Sequence, residues 1–329
     1  MRKIVFLMAL YLAAAACVKQ NLETPMVESE QTTKEQMCSF EVKVPQNQTK
    51  LASPSANEET VNNLQVFIFD EAGNVDNFVK GAGPSLNVKC TKGKREIYVI
   101  ANVAELGPVG NKTGLMNKLS NFNDNTATNF VMTGNKIVSV DAGLKSVSVE
   151  VERIPSRICL KSFANEITLH PYSTQELVIN AAYLVNVAKD ATYFLPEKSS
   201  NLAFLNFKQL NDQSPLLYEK INDVKVSSTT PFVAPHYFYC YPNSTSVDCT
   251  DNNSVARYTR LVVEATLGGK KCYYVASIPQ IKRNTTYEVS MHVTRPGSLT
   301  PDAPLEKHDP QFSVTVKKWV AGAAVDEII

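Results

Sequence analysis

The chain has 329 residues, long enough for about two domains. Its 33 basic and 32 acidic residues leave a formal net charge of +1, which argues against a nucleic-acid partner, because such a partner calls for a basic face. Apolar residues make up 44% of the chain, which places it among ordinary globular proteins with a packed core.

The N-terminus reads as an export signal. Met1-Arg2-Lys3 is a positive n-region, and IVFLMALYLAAAA (4–16) is an apolar segment of signal-peptide length, too short to span a bilayer. It ends in Ala14-Ala15-Ala16-Cys17, which resembles a bacterial lipobox. Cys17 is then the lipidated (palmitoylated) first residue of the precursor, with an ordinary signal peptide cut nearby as the alternative. No other stretch is long and apolar enough to cross a bilayer, so the remainder is expected to be exported. Residues 18–37 are polar with scattered charges and read as a tether.

Strand patterns dominate from there. Cys38–Val44 alternates with period two, placing Cys38, Phe40, Val42 and Val44 on one face and Ser39, Glu41 and Lys43 on the other. Pro45–Asn63 is a polar connection. Leu64–Asp70 (LQVFIFD) reads as a more fully buried strand, and EAGN after it as a turn. The basic run Lys89–Glu96 reads as a solvated hairpin turn leading into a strand over Glu96–Val103. Leu115, Leu119 and Phe122 recur at helical spacing, which predicts a short amphipathic helix within about 108–122. Val147–Ile154 alternates again. Strands are then predicted at Arg157–Phe163, Leu177–Val187, Tyr237–Tyr241, Arg260–Leu267, Cys272–Ile278, Thr286–Thr294 and Phe312–Val320, with an irregular stretch over 188–235 and a Pro-rich link at 296–304. Many short strands separated by turns predict a mainly β protein of two β-sandwiches with short helices. Pro155 interrupts the pattern and marks the boundary, giving domains at 51–155 and 156–329.

Catalytic and metal motifs are missing. The histidines, His170, His236, His292 and His308, have no metal-ligand spacing, and there is no G-x-S-x-G elbow or dinucleotide fingerprint. Gly107–Gly114 (GPVGNKTG) brushes a phosphate-loop pattern, but Asn111 breaks the spacing, and a loop entering the short helix is the reading. Glu58 and Glu59 read as solvated loop charges. Neither an enzyme nor a cofactor or metal site is expected. Beyond Cys17 the cysteines are Cys38, Cys90, Cys159, Cys240, Cys249 and Cys272, with no C-x-x-C pair. Cys240 and Cys249 could pair across a hairpin, and lone buried thiols fit equally well.

The two ends suggest a mechanism. Lys50 is the one basic residue between Pro45 and Asp70, in a loop of the kind proteases nick, so a trypsin-like cut would fall between Lys50 and Leu51. It would free the first strand, whose four inward side chains stabilise the fold by about 1.5–3 kcal/mol each, an upper total of about 6–12 kcal/mol. An apolar groove with two unpaired edges would remain, and such edges invite another chain. The segment from Phe312 to the last residue is apolar and strand-like. Extended, it would reach roughly 60 Å at about 3.3 Å per residue. A removable first strand and a donor strand at 312–329, carrying Phe312, Val314, Val316, Trp319, Val320 and Val325, together suggest polymerisation by β-augmentation.

In this combination the chain resembles the Bacteroidales fimbrillins, or type V pilins. The resemblance runs over nearly the whole chain and is carried by the lipobox, by residues 38–70, and by GKREIYVIAN (Gly93–Asn102), FVMTG (Phe130–Gly134), VERIPSRICL (Val151–Leu160), YFYCYPN (Tyr237–Asn243), IKRNTTYEVSMHVTRPG (Ile281–Gly297) and FSVTVKKWV. It implies two transthyretin-like β-sandwich domains and a lipoprotein precursor held in the outer membrane. It also implies a surface protease that removes residues up to the cut, and a neighbour's C-terminal strand that fills the groove. Partners implied are other copies of the chain, anchor and tip subunits, and that protease; the adhesive ligand is left open. In the family the cut follows Arg, whereas Lys50 stands here. An uncut, lipid-retaining anchor or accessory subunit is therefore the second reading. A glycan-binding surface lipoprotein, stacking sugars on Tyr237, Tyr239 or Tyr241, is the third.

Overall fold

Alternating apolar and polar residues recur every two positions, so most segments can bury one face only as strands. The computed structural model describes residues 36–45, 58–194, 203–246, 248, 257–303, 312–318 and 327–328. The N-terminal portion contributes β1 (Met37–Lys43), β2 (Asn63–Phe69), β3 (Val75–Ala82), β4 (Ser85–Thr91), β5 (Gly93–Ala101), the short helix α1 (Lys112–Met116), β6 (Leu119–Asn121), β7 (Met132–Val140), β8 (Ser146–Ser148) and β9 (Glu152–Arg153). They form two main sheets, ordered β4-β1-β8 and β3-β2-β5-β7-β9. Inward residues of both, among them Phe40, Val42, Val66, Ile68, Val88 and Val99, make one apolar core between them.

The remainder contributes β10 (Ser156–Asn165), β11 (Leu177–Val185), β12 (Val187–Ala188), β13 (Asp190–Thr192), β14 (Phe204–Leu205), β15 (Tyr218–Val226), β16 (His236–Cys240), β17 (Thr259–Leu267), β18 (Lys270–Ile278), β19 (Thr285–Val293), β20 (Phe312–Lys318) and β21 (Glu327–Ile328). Their main sheets are β16-β10-β19-β20-β21 and β15-β11-β17-β18. The core between these sheets continues onto the opposite face of the β2–β5 sheet, through Phe67, Phe69, Tyr98 and Ile100. That sheet is buried on both faces, which is why Leu64–Phe69 is apolar almost without interruption. The two portions also meet where β6 pairs with β13 and where the Phe130 and Tyr239 rings stand 4.7 Å apart. No helix among the described residues is long and apolar enough to cross a membrane.

Several expectations need correction. The Lys89–Glu96 run is not a hairpin turn: Lys89 lies in β4 and Lys94–Glu96 in β5, and these strands belong to different sheets. The chain turns a corner there, and Arg95 is buried at its inner side against Asp76, at 2.6 Å. The helix spans only Lys112–Met116, with the Asn111 side chain accepting from the Gly114 N–H at 2.8 Å as its N-cap. Leu119 has left the helix for β6 and is exposed. Val147–Ile154 is two strands, because β8 pairs with β1 and β9 with β7. The supposedly irregular stretch 188–235 contains the nine-residue β15.

Candidate functional site: the slot of the first strand

β1 is the middle strand of its sheet. It runs antiparallel to β4 from Met37↔Thr91 to Lys43↔Ser85, and parallel to β8 over Glu41↔Ser146, Val42↔Val147 and Lys43↔Ser148. Backbone bonds extend the pairing at its borders: Val44 N–H donates to Pro84 O at 2.8 Å, Lys92 N–H to Gln36 O at 3.0 Å, Glu41 N–H to Lys145 O at 3.0 Å and Val149 N–H to Lys43 O at 2.9 Å. Even-numbered β1 residues therefore form the hydrogen-bonded pairs with β4, while odd-numbered ones form the closer, non-hydrogen-bonded pairs.

Cys38, Phe40, Val42 and Val44 are all buried in the core, none more than 4% exposed. The opposite face is polar. Ser39 and Lys43 are exposed and Glu41 half-exposed, with Lys43 and Glu41 paired at 2.9 Å. That pairing, followed by a hydrogen bond from Ser85, holds the Glu41 carboxyl below its ordinary value. Cys38 stands directly opposite Cys90, and both are free thiols. Burial, then the nearby Asp76 carboxylate, pushes the Cys90 thiol up to about 11. It is therefore protonated and a poor nucleophile at neutral pH. No disulfide ties β1 to its surroundings.

The end of the Pro45–Asn63 connection is anchored where it re-enters the described structure. Glu58 is fully buried, contrary to its reading as a solvated loop charge. Its carboxylate accepts from Tyr239 Oη at 2.5 Å and from Arg157 Nη1 at 3.0 Å, and its carbonyl accepts from Arg153 Nε at 2.9 Å. Arg153 also pairs with Glu59 at 3.4 Å. The Tyr239 hydroxyl is pushed up by burial and then by the Glu58 charge. Nothing in the sequence around Glu58 signals these partners, which lie about a hundred or more residues away and meet it only through the fold.

A second buried cluster anchors the chain ahead of β20. Asp302 accepts from Arg257 Nη1 at 2.6 Å, Arg260 Nε at 3.0 Å and Asn186 Nδ2 at 2.8 Å. Asp248 takes the far end of the Arg260 guanidinium at 2.9 Å. The segment between the clusters and the sheets is also held by backbone: Ser298 and Tyr273 exchange N–H to O bonds of 2.9 and 2.8 Å. Gly297 makes this approach possible, since a Cβ there would stand 2.7 Å from Tyr273 O.

β20 pairs antiparallel with β19, which puts Phe312, Val314 and Val316 opposite Met291, Val289 and Tyr287. Those three β19 residues are buried. Cys17, Lys50, Leu51, Cys249, His308, Trp319, Val320 and Val325 lie outside the described residues. Cys159, Cys240 and Cys272 are buried free thiols, like Cys38 and Cys90. Tyr239 and Tyr241 are buried, with the Tyr241 hydroxyl bonded to Ser120 and Asn125 at 2.6 and 2.8 Å, so neither can stack on a sugar. Among the described residues no group of three or more His, Cys, Asp or Glu is placed to hold a metal ion.

Residues 39–148 match the family described as the major fimbrial subunit protein, FimA. No curated protein matches the chain. Among solved structures, it is similar to a protein assigned to cell adhesion from Bacteroides eggerthii, at 18% identity over 87% of this chain and 97% of that one, with a TM-score of 0.63. It is also similar to a fimbrilin from Porphyromonas gingivalis W83, at 14% identity over 87% and 99%, with a TM-score of 0.61. The tip fimbrial protein Mfa3 from Porphyromonas gingivalis, with C-terminal truncation, matches at 12% identity over 86% and 99%, with a TM-score of 0.53. The matched segment, residues 39–148, holds most of β1 and both walls of its slot, and the fold as a whole is similar to that of the fimbrilin.

Proposed function

We propose that this chain is a structural subunit of a surface fimbria, exported as a lipoprotein precursor lipidated at Cys17. A trypsin-like surface protease cuts it between Lys50 and Leu51, and it polymerises when the C-terminal strand of another copy replaces β1. Its partners are further copies of itself and the anchor and tip subunits of the same fibre, and the precursor is held at the outer membrane by its lipid. The protein acts by assembly and not by catalysis.

The observation that carries this reading is the way β1 is held. It fills the middle of a sheet with four buried side chains, so its departure would open a slot lined by apolar side chains with a bare strand edge on each side. It has no disulfide, and the far end of its polar connection is separately anchored at Glu58. A cut between the two can thus release β1 without loosening β2. The family match of residues 39–148 supports the same reading.

Limited trypsin treatment of the recombinant precursor tests it. The expected product begins at Leu51 and forms SDS-resistant ladders on incubation. A precursor whose Lys50–Leu51 bond resists cutting, or a cut product that stays monomeric, overturns the shaft role. Recovery of lipidated Cys17 from the mature surface protein would instead establish the uncut anchor.

A further inference from the structure

The pattern Phe-x-Val-x-Val occurs at two places in this sequence. One is Phe40-Glu41-Val42-Lys43-Val44 in and just after β1. The other is Phe312-Ser313-Val314-Thr315-Val316 in β20. In β1 the three apolar residues are the ones that fill the slot, and the residues between them face out. In β20 those between are Ser313 and Thr315, small and polar, which suit the same solvent face.

We propose that β20 of a second copy enters the slot in one defined register, with Phe312, Val314 and Val316 in the places of Phe40, Val42 and Val44. This rests on the strand-donation reading above and specifies the pairing. β20 would run antiparallel to β4, with Phe312 opposite Val88 and Val314 opposite Leu86, as Phe40 and Val42 are now. Val316 would repeat the bond that Val44 N–H makes to Pro84 O. On the other side Val314 would lie beside Val147 of β8, as Val42 does. Each side chain is replaced by one of the same kind, the substitution that a close-packed core tolerates best.

Other registers fail on physical grounds. A slip by one residue turns all three apolar side chains to water. A slip by two that sets Ser313 on Ser39 keeps the alternation but puts Lys318 in the place of Val44 and Val314 in the wider place of Phe40. A slip by two the other way leaves the Phe40 place to Pro310 and brings Phe312 only as far as Val42. In the proposed register Pro310 falls on Cys38, one residue from the start of β1, where it would give up the single N–H that Cys38 offers to Cys90 and so mark the beginning of the donated pairing.

The paired copies also share a reciprocal requirement. In the free chain β20 is laid along β19, with the same three residues opposite buried partners. Donation therefore requires β20 to leave β19, trading one apolar ladder for another.

Disulfide trapping across copies tests the register. Asn87 is exposed and stands opposite Glu41 in a non-hydrogen-bonded pair, whose close approach suits a disulfide. Asn87→Cys with Ser313→Cys, cut by trypsin, assembled and mildly oxidised, is expected to give boiled ladders that collapse to monomer only with reductant. Asn87→Cys with Thr315→Cys is expected to give none. Trapping through Thr315→Cys and not Ser313→Cys, or reductant-insensitive ladders in both, overturns the register while leaving strand donation intact. Absence of any assembly in the cut parent protein overturns donation itself, and the register with it.

Discussion

β1 and β17 are both central strands, yet they are held in different ways. β17 pairs antiparallel along its whole length with β11 on one side and β18 on the other, and a two-residue turn at Gly268-Gly269, both at positive φ, ties it to β18. Its side chains are buried on both faces over most of its length. β1 is buried on one face only, pairs with β8 over three residues, and is joined to β2 by a long polar connection. A strand becomes removable through its connection and its one-sided burial, while its central position ensures that removal leaves something to fill. Both strands are central, but β17 is fixed through both faces and a two-residue turn, and β1 through one face and a long connection.

The largest expected effect is at the Glu58 anchor, at the end of the connection that follows β1. Arg157→Ala would leave the Glu58 carboxylate buried without its paired guanidinium. Breaking one side of such a pair costs about 3–5 kcal/mol. Urea unfolding of the intact precursor reads this directly. A loss below about 1 kcal/mol would show that the segment after the connection is not firmly held, and the contrast with β1 would disappear.

A smaller and sharper pair is Val42→Ala and Val262→Ala, since both valines are fully buried. Each should cost about 2 kcal/mol in the precursor, from lost transfer energy and the cavity left behind. In the cut and assembled protein the Val262→Ala penalty should persist, whereas that of Val42→Ala should vanish because β1 is no longer present. Thermal denaturation of precursor and polymer side by side makes the comparison. A Val42→Ala penalty that survives assembly would mean that β1 stays in its slot.

The smallest effect lies on β5, which both states of the slot share. Lys112 bonds the Glu96 carboxylate at 2.6 Å, which holds Glu96 below and Lys112 above their ordinary values. Glu96, with a depressed value, contributes stability that is present above its ordinary value of 4.5 and is lost as pH falls through its lower folded value. Lys112, raised, contributes below 10.5 and loses it as pH rises through its higher folded value. The pair is partly exposed, so its worth is about 0.2–1 kcal/mol. Glu96→Gln should therefore lower stability slightly at pH 7, and the difference should fade as pH falls below 4.5 through the lower folded value of Glu96, equally in precursor and polymer.

Much of the strand content could be read from alternation, and the reasons for failure elsewhere are specific. β3 and β15 were missed because each lies at a sheet edge and buries little, so neither shows a regular apolar face. β4 does alternate, through Leu86, Val88 and Cys90, but the adjacent lysines suggested a turn. For the slot, the apolar residues of β1 were legible, because a one-sided strand writes its buried face into the chain at every second residue. Its neighbours were not legible. Alternation says which face is buried but never against which strand, so it could not show that Val147–Ile154 divides between two sheets or that β8 lies parallel to β1.

The sequence by itself determined the mainly β character, the buried face of β1 and the repeated Phe-x-Val-x-Val pattern, because all of these are local properties of side-chain order. Tertiary structure alone decided that β1 is flanked on both sides, that Cys38 faces Cys90 as a free thiol, and that Glu58 and Asp302 are anchors and not solvated charges. Glu58 reaches Arg157 and Tyr239, and Asp302 reaches Arg257, Arg260 and Asn186, across separations that no spacing rule spans. Such charges can be buried only where the fold delivers their partners, and that delivery is a property of the packed sheets and not of any short stretch of chain.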